Sequence, residues 1–182
     1  VIQEAYEMLQ KAAARTDGLS GLESGFHALD KMTSGWQDSD LVIIAARPAM
    51  GKTAFVLSMA KNMAVNARIP VASFSLEMSN VQLVNRMIVN VCEIPGEKIK
   101  SGQLAPYEWG QLDYKIKELY DAPLYVDDTP SLSVFELRTK ARRLVREHGV
   151  KIIIIDYLQL MNASGMSFGS RQEEVSTISR SL

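Results

Sequence analysis

Five apolar residues, Leu41-Val42-Ile43-Ile44-Ala45, run directly into Ala46-Arg47-Pro48-Ala49-Met50-Gly51-Lys52-Thr53, and a helical pattern follows. A strand, a tight turn and a helix in that order form the setting a phosphate-binding loop requires. Loop amides and the first amides of the helix converge there on one point, where aligned peptide dipoles favour negative charge. The residue types suit a nucleoside triphosphate. Gly51 lets the backbone approach closely, Lys52 is a flexible point charge able to reach the β- and γ-phosphates, and the Thr53 hydroxyl is placed to coordinate the Mg²⁺ that bridges them. The strict pattern opens with Gly where this chain has Ala46, so the first loop residue must adopt a conformation that Ala tolerates. The plainer reading, a chance match in a Gly/Ala-rich turn, does not account for the strand before and the helix after.

A chain of 182 residues with 47% hydrophobic content is the size of one α/β domain with a substantial core. Its 20 basic and 21 acidic residues leave a net charge of −1, so any contact with nucleic acid must be local. The single Cys92 excludes an internal disulfide framework and a cysteine metal cluster, and its apolar helical surroundings suit a buried, inert thiol. No apolar run approaches the roughly 20 residues that span a bilayer, and no charged-then-apolar signal opens the chain. The expectation is a cytoplasmic protein without membrane contact. The chain starts with Val1 rather than Met and stops at Ser181-Leu182 inside a helical pattern, which reads as a piece of a longer protein.

Residues 2 to 14 form an amphipathic pattern, with Ile2, Tyr6, Leu9 and Ala13 at i, i+4, i+7 and i+11 and Asp17-Gly18 ending it. Such a helix cannot bury its own apolar face; folding back on its own domain and docking on a neighbouring subunit are both open. Leu19 to Asp40 is rich in Gly and Ser without a long periodic run, and reads as a loop-rich segment. From Leu41 onward apolar runs and helical patterns alternate, the pattern of parallel strands joined by crossover helices. Strands are expected at 41–46, 70–76, 123–127 and 151–156, and helices near 52–66, 79–92, 106–120 and 133–148. The run Ile152-Ile153-Ile154-Ile155 suggests a strand covered on both faces. Ser79 reads as an N-cap, and Ser133 with Glu136 as a capping box.

A phosphate-binding loop needs a carboxylate at the end of another strand to hold the metal, and Asp156, directly after the Ile run, meets that need. Its structural alternative is an ordinary strand-terminal cap of the next turn. Hydrolysis further requires a group that orients or deprotonates the attacking water. Glu77, after strand 70–76, is the candidate, because strand C-termini line the ligand crevice of open parallel sheets. Its alternative is a helix-start carboxylate that complements the dipole.

Ala-Arg-Pro-Ala-Met-Gly-Lys-Thr at 46–53, Ser-Leu-Glu-Met-Ser at 75–79 and Ile-Asp-Tyr-Leu-Gln-Leu-Met at 155–161, in that order, closely resemble bacterial replicative helicases of the DnaB family. The similarity continues through Gly25-Phe26-His27-Ala28-Leu29-Asp30-Lys31-Met32-Thr33-Ser34-Gly35-Trp36 and from Ser170 to Leu182, so it covers nearly the whole chain. The resemblance implies a RecA-like P-loop NTPase core, a mostly parallel sheet with flanking helices, preceded by a linker helix. It implies a linker at 1–18 that docks on a neighbouring subunit and an ATPase motor domain at 19–182. By motif position, Ala46, Arg47, Pro48, Ala49, Met50, Gly51, Lys52 and Thr53 would hold the nucleotide, Thr53 and Asp156 the Mg²⁺, and Glu77 and Lys52 would be catalytic. Gln159 falls in the same block as a γ-phosphate or DNA-coupling residue. The implied assembly is a homo-hexameric ring with ATP between subunits, a heterologous contact that closes by rotation, moving on single-stranded and forked DNA. Primase and helicase loader would bind through regions outside this chain. The resemblance stops before the last core strands, the trans-acting arginine finger and the main DNA loops. An arginine finger typically contributes about 10³–10⁵ in rate, so the isolated chain is expected to hydrolyse ATP weakly or not at all.

The helix at 133–148 carries Arg138, Lys140, Arg142, Arg143 and Arg146, yet Val134, Leu137, Ala141, Leu144 and Val145 form its core stripe. A solvated basic face is the expected reading. The segment from Asn162 to Gln172 follows the Asp156 strand, and Ser167, Phe168 and Arg171 are the DNA-contact candidates there; its alternative is a flexible loop. His27 and His148 lack a partner at ligand or base spacing. A recombinase or clock-type ATPase of the same fold would share the loop and Glu77 but not the other two blocks together. A non-catalytic nucleotide scaffold would have no need of Glu77 and Asp156.

Overall fold

Three parallel strands, in the order β2-β1-β3, organise the chain beyond the phosphate-loop sequence: β1 (Val71–Ser75), β2 (Leu124–Asp127) and β3 (Ile152–Asp156). The computed structural model describes residues 1–15, 18–161 and 169–182, which divide into two units, Val1–Met50 and Gly51–Leu182. In the second unit Val71 lies opposite both Leu124 and Ile152, and Ser75 opposite Asp156, so the C-terminal ends of β1 and β3 finish side by side. Parallel pairing requires crossovers. α4 (Asn80–Cys92), α5 (Gly96–Ser101) and α6 (Pro106–Tyr120) connect β1 to β2, and α7 (Val134–His148) connects β2 to β3. α3 (Lys52–Lys61) precedes β1, and α8 (Arg171–Ser181) follows a 3₁₀ turn at Leu158–Leu160.

The order of the strands sets which one is buried. β1 sits between two neighbours and all five of its residues are buried. The Ile run, whose pattern predicts cover on both faces, forms β3, which among the described residues pairs on one side only, and Ile153 remains 39% exposed. Ala72 and Phe74 alternate onto one face of β1 and pack with Leu132, Val134 and Leu137 at the start of α7, with Val150 and Met161 flanking β3, and with Ile178 of α8. A second cluster joins Val91, Cys92 and Ile94 to Ile99, Leu112 and Leu119 across α4, α5 and α6. Burial pushes the Cys92 thiol pKa up, which fits the inert thiol expected of it. Phe74 is 1% exposed, and Phe74→Ala is expected to destabilise the protein by about 3–5 kcal/mol, read as a lowered urea midpoint at unchanged slope.

Local signals placed most helices. α6 spans the expected residues, and α4 and α7 start one residue after the caps Ser79 and Ser133. Ser79 and Gln82 form a complete capping box, and Ser133 accepts from the Glu136 amide. The helix expected at 52–66 ends its regular turns at Lys61 and continues as a π-helical turn, Asn62–Asn66. α5 has six residues, too few for a periodicity to show.

In the first unit, α1 (Ile2–Ala14) has the expected extent and no buried residue, with Ile2, Tyr6 and Leu9 exposed at 87%, 61% and 66%. The segment read as loop-rich contains α2 (His27–Thr33). Its scaffold is local: Leu22 and Trp36 exchange backbone hydrogen bonds of 2.8 Å, and the buried Asp30 carboxylate accepts from the Ser24 amide at 2.8 Å and hydroxyl at 2.6 Å. Gly21 is required by close approach, since a Cβ there would lie 2.3 Å from the Trp36 carbonyl oxygen. The strand expected at 41–46 is not formed. Leu41, Val42 and Ile43 are 55%, 46% and 71% exposed, and the unit's described residues contain only the Leu22–Trp36 bridge. An extended run becomes a strand only where a neighbour takes up its amides and carbonyls.

Among the described residues no helix is long and apolar enough to cross a membrane. The basic α7 behaves as a solvated face in part: Arg142 and Arg146 are exposed and Arg143 pairs with Glu147, while Lys140 turns back to Asp127 at 2.7 Å. Burial alone would raise the Asp127 carboxyl, but Lys140 and the Thr129 donors outweigh it and hold the group below its usual value. A depressed folded-state pKa contributes stability above the unfolded value of about 3.9, lost as pH falls through the folded value. Asp127→Asn should therefore cost about 1 kcal/mol or less at pH 7, given the exposure of Lys140, and still less at pH 3, as urea midpoints at the two pH values would show.

Candidate phosphate-binding site

α3 begins in an unusual way. Gly51 precedes it at φ +86°, a left-handed backbone that favours glycine, and accepts the first helical hydrogen bond from Phe55 at 2.9 Å. No side chain caps the helix and no acidic residue stands in its first turn. Lys52 opens it, which the helix dipole disfavours. A bare amide end with a cation beside it is a poor arrangement for stability and a good one for an anion.

Asp156 supplies the negative charge beside this helix start. Thr53 Oγ1 donates to Asp156 Oδ2 at 3.0 Å, and Lys52 Nζ lies 3.3 Å from Asp156 Oδ1. Both side chains of the pair are largely buried, Lys52 at 26% and Asp156 at 12% exposure, so each neutralises a charge that would otherwise be desolvated alone. Lys52 Nζ also stands 4.0 Å above the centre of the Tyr157 ring. Sequence positions 103 residues apart thus meet in one cluster.

Glu77 emerges beside it. The Leu76 amide bonds the Asp156 carbonyl at 2.9 Å, so Glu77 is the first residue past the β1–β3 ladder. The Ser75 hydroxyl ties the turn from within, donating to the Met78 carbonyl at 2.8 Å and accepting from the Met78 amide at 3.2 Å. Glu77 is exposed and lies two residues before the Ser79 cap, outside the α4 dipole end that its structural alternative invoked. The Asp128 carboxylate accepts from the Asn80 amide at 2.9 Å and fixes the start of α4. Among the described residues no cluster of three His, Cys, Asp or Glu could form a complete protein metal site. The oxygen donors Thr53 and Asp156 suit a metal that takes its remaining ligands from phosphate and water.

Residues 21–182 match the model of the DnaB-like helicase C terminal domain. This chain belongs to that family. It is 47% identical over its full length to the replicative DNA helicase DnaB of Geobacillus stearothermophilus and 44% identical to the replicative DNA helicase DnaC of Bacillus subtilis, and it spans 40% of the length of each. Its structure matches a solved ATPase domain with a TM-score of 0.89 at 37% identity, covering all of this chain and 65% of that one. It also matches a DnaB-like replicative helicase, studied with its interactions with primase, with a TM-score of 0.87 at 36% identity over 97% of this chain and 44% of the other. The fold is RecA-like α/β.

The DnaB-like domain brings Lys52, Thr53, Asp156 and the Glu77 turn together in its second unit. Ala46 to Met50 lie in the first, where Ala46 has no left-handed backbone, Ala49 does at φ +62°, and the Met50 amide bonds the Arg47 carbonyl at 3.2 Å. Gln159 stands exposed in the 3₁₀ turn. Arg171 opens α8 with its guanidinium on the Gln159 and Met161 carbonyls and the Glu174 carboxylate. Ser167 and Phe168 lie outside the described residues. Sequence reasoning assigned no role to Ser75, Asp128 or Tyr157. The spacing of Ser75 to Met78 is a turn signal that was legible; the reach of Asp128 to α4 was not.

Proposed function

We propose that this chain is the ATP-hydrolysing motor domain of a hexameric replicative DNA helicase, translocating on single-stranded DNA and unwinding duplex at a fork. The observation that carries this reading is the convergence of Lys52 and Thr53 on Asp156 beside the Glu77 turn, at the ends of adjacent parallel strands. In this reading the uncapped start of α3 receives the β- and γ-phosphates, and Ala46 to Met50 are assigned to the nucleotide by motif position. Lys52 exchanges its carboxylate partner for phosphate oxygens, so no bare charge is exposed at any stage. Thr53 and Asp156 would hold Mg²⁺, which when bound neutralises charge on the β- and γ-phosphates. Glu77 accepts a proton from the water whose oxygen bonds the γ-phosphorus as the bond to the ADP oxygen breaks.

α1, with its apolar face uncovered, would be the linker that docks on a neighbouring subunit, at residues 1–18, before the motor at 19–182. The whole protein would work in the cytoplasm with primase and a helicase loader. The deciding experiment is strand displacement of forked DNA with ATP and Mg²⁺ by the protein at its natural length. ATP-dependent unwinding supports the reading. DNA-stimulated hydrolysis without strand separation would indicate a recombinase-type ATPase instead.

A further inference from the structure

Arg171 is spent on backbone. Its guanidinium donates to the Gln159 carbonyl and, at 2.7 Å, to the Met161 carbonyl, and it pairs with Glu174 one turn into α8. α8 itself is anchored, with Ile178 fully buried in the cluster that contains Phe74 and Met161. Gln159 and Met161, twelve and ten residues before Arg171, are therefore held by one side chain seated on a fixed helix. The first of these carbonyls belongs to the turn Leu158–Leu160, which only Tyr157 separates from Asp156. That turn begins next to Tyr157, whose ring faces the Lys52 ammonium. The Gln159 side chain is exposed and bonds no described residue, although its backbone is pinned.

We propose that Arg171 is a positioning residue that locks the turn carrying Gln159 relative to the Asp156 strand end. This rests on the motor reading above, in which Gln159 answers to the γ-phosphate or to DNA. A planar fork with five donors can serve two carbonyls and a carboxylate at once, whereas the ammonium of Lys is a point charge that cannot span them. The assignment differs from a DNA-contact role for Arg171, which would need only the charge.

The test uses the natural-length protein with Arg171→Ala, Arg171→Lys and Glu174→Gln. Each is measured for kcat and KM of ATP hydrolysis with and without single-stranded DNA, for DNA affinity across a salt series, and for Tm. Positioning predicts a DNA-stimulated kcat lowered by roughly 10–10²-fold in both Arg171 variants, a smaller loss in Glu174→Gln, and unchanged KM and DNA salt dependence. Should Arg171→Ala not fold, the Lys variant carries the comparison. Wild-type turnover in Arg171→Lys would overturn the proposal, as would weaker DNA binding with a salt slope reduced by about one contact. A Tm loss with kcat intact would mean a structural staple only and would equally overturn it. Absence of DNA-stimulated hydrolysis in the wild type would overturn the motor reading, and the Arg171 assignment with it.

Discussion

Glu77→Gln in the natural-length protein should lower kcat for ATP hydrolysis by ~10²–10⁴, the range a positioned general base contributes, while nucleotide affinity stays near that of the wild type. The substitution keeps the shape and removes the carboxylate charge, and with it the ability to take a proton. Nothing in the fold depends on that carboxylate: Glu77 is exposed past the end of β1 and makes no hydrogen bond or ion pair with a described residue. Stability should stay within about 0.5 kcal/mol of wild type. The turn is held instead by the Ser75 hydroxyl and the Ser79–Gln82 box, which the substitution leaves intact. Single-turnover hydrolysis together with fluorescent-nucleotide binding separates the two effects. Equal losses in affinity and turnover would assign Glu77 to binding, and unchanged turnover would remove it from catalysis.

Lys52→Ala should act on both affinity and turnover. Losing a charge-assisted contact to phosphate costs about 1.5–3 kcal/mol in binding, roughly 10–10²-fold in Kd, and removing a cation from developing transition-state charge adds ~10²–10³ in kcat. A stability effect should accompany it, because Asp156 is left with Thr53 alone in a site where it is 12% exposed. Truncating one partner of a largely buried pair leaves the other uncompensated, so the urea midpoint should fall by an amount on the order of 1 kcal/mol. The double variant Lys52→Ala with Asp156→Asn should recover that stability and none of the activity. Additive stability losses in the double variant would show that the ion pair does not couple the two residues.

The parts of the site that were legible in the sequence are those whose chemistry is local. Gly51, Lys52 and Thr53 announce themselves because a left-handed residue, a cation and a hydroxyl must follow one another at a helix start, and nothing distant is needed to see it. Asp156 was legible from one contrast, a carboxylate directly after four isoleucines. Glu77 was legible from its place after a strand. The carbonyl partners of Arg171 were not legible: Glu174 is a local partner three residues on, but only the path of α8 brings the Gln159 and Met161 carbonyls within reach.

Burial and pairing followed a different rule. The Ile run has the stronger apolar signal, yet β1, with two serines, is the fully buried strand, because a sheet buries the strand that has neighbours on both sides and strand order is a property of the whole chain. For the same reason the apolar segment at 41–46 carries a strand pattern without forming a strand among the described residues, since hydrogen-bonded partners, not side-chain pattern, complete one. The sequence by itself determined the elements and the reactive groups, which depend on residue types a few positions apart. Only the tertiary structure decided that Lys52 and Thr53 rest on Asp156, that Asp128 fixes the start of α4 just past Glu77, and that Arg171 holds the Gln159 turn. Those contacts join positions that become adjacent only once β1 has paired with both β2 and β3 and α8 has packed on the core.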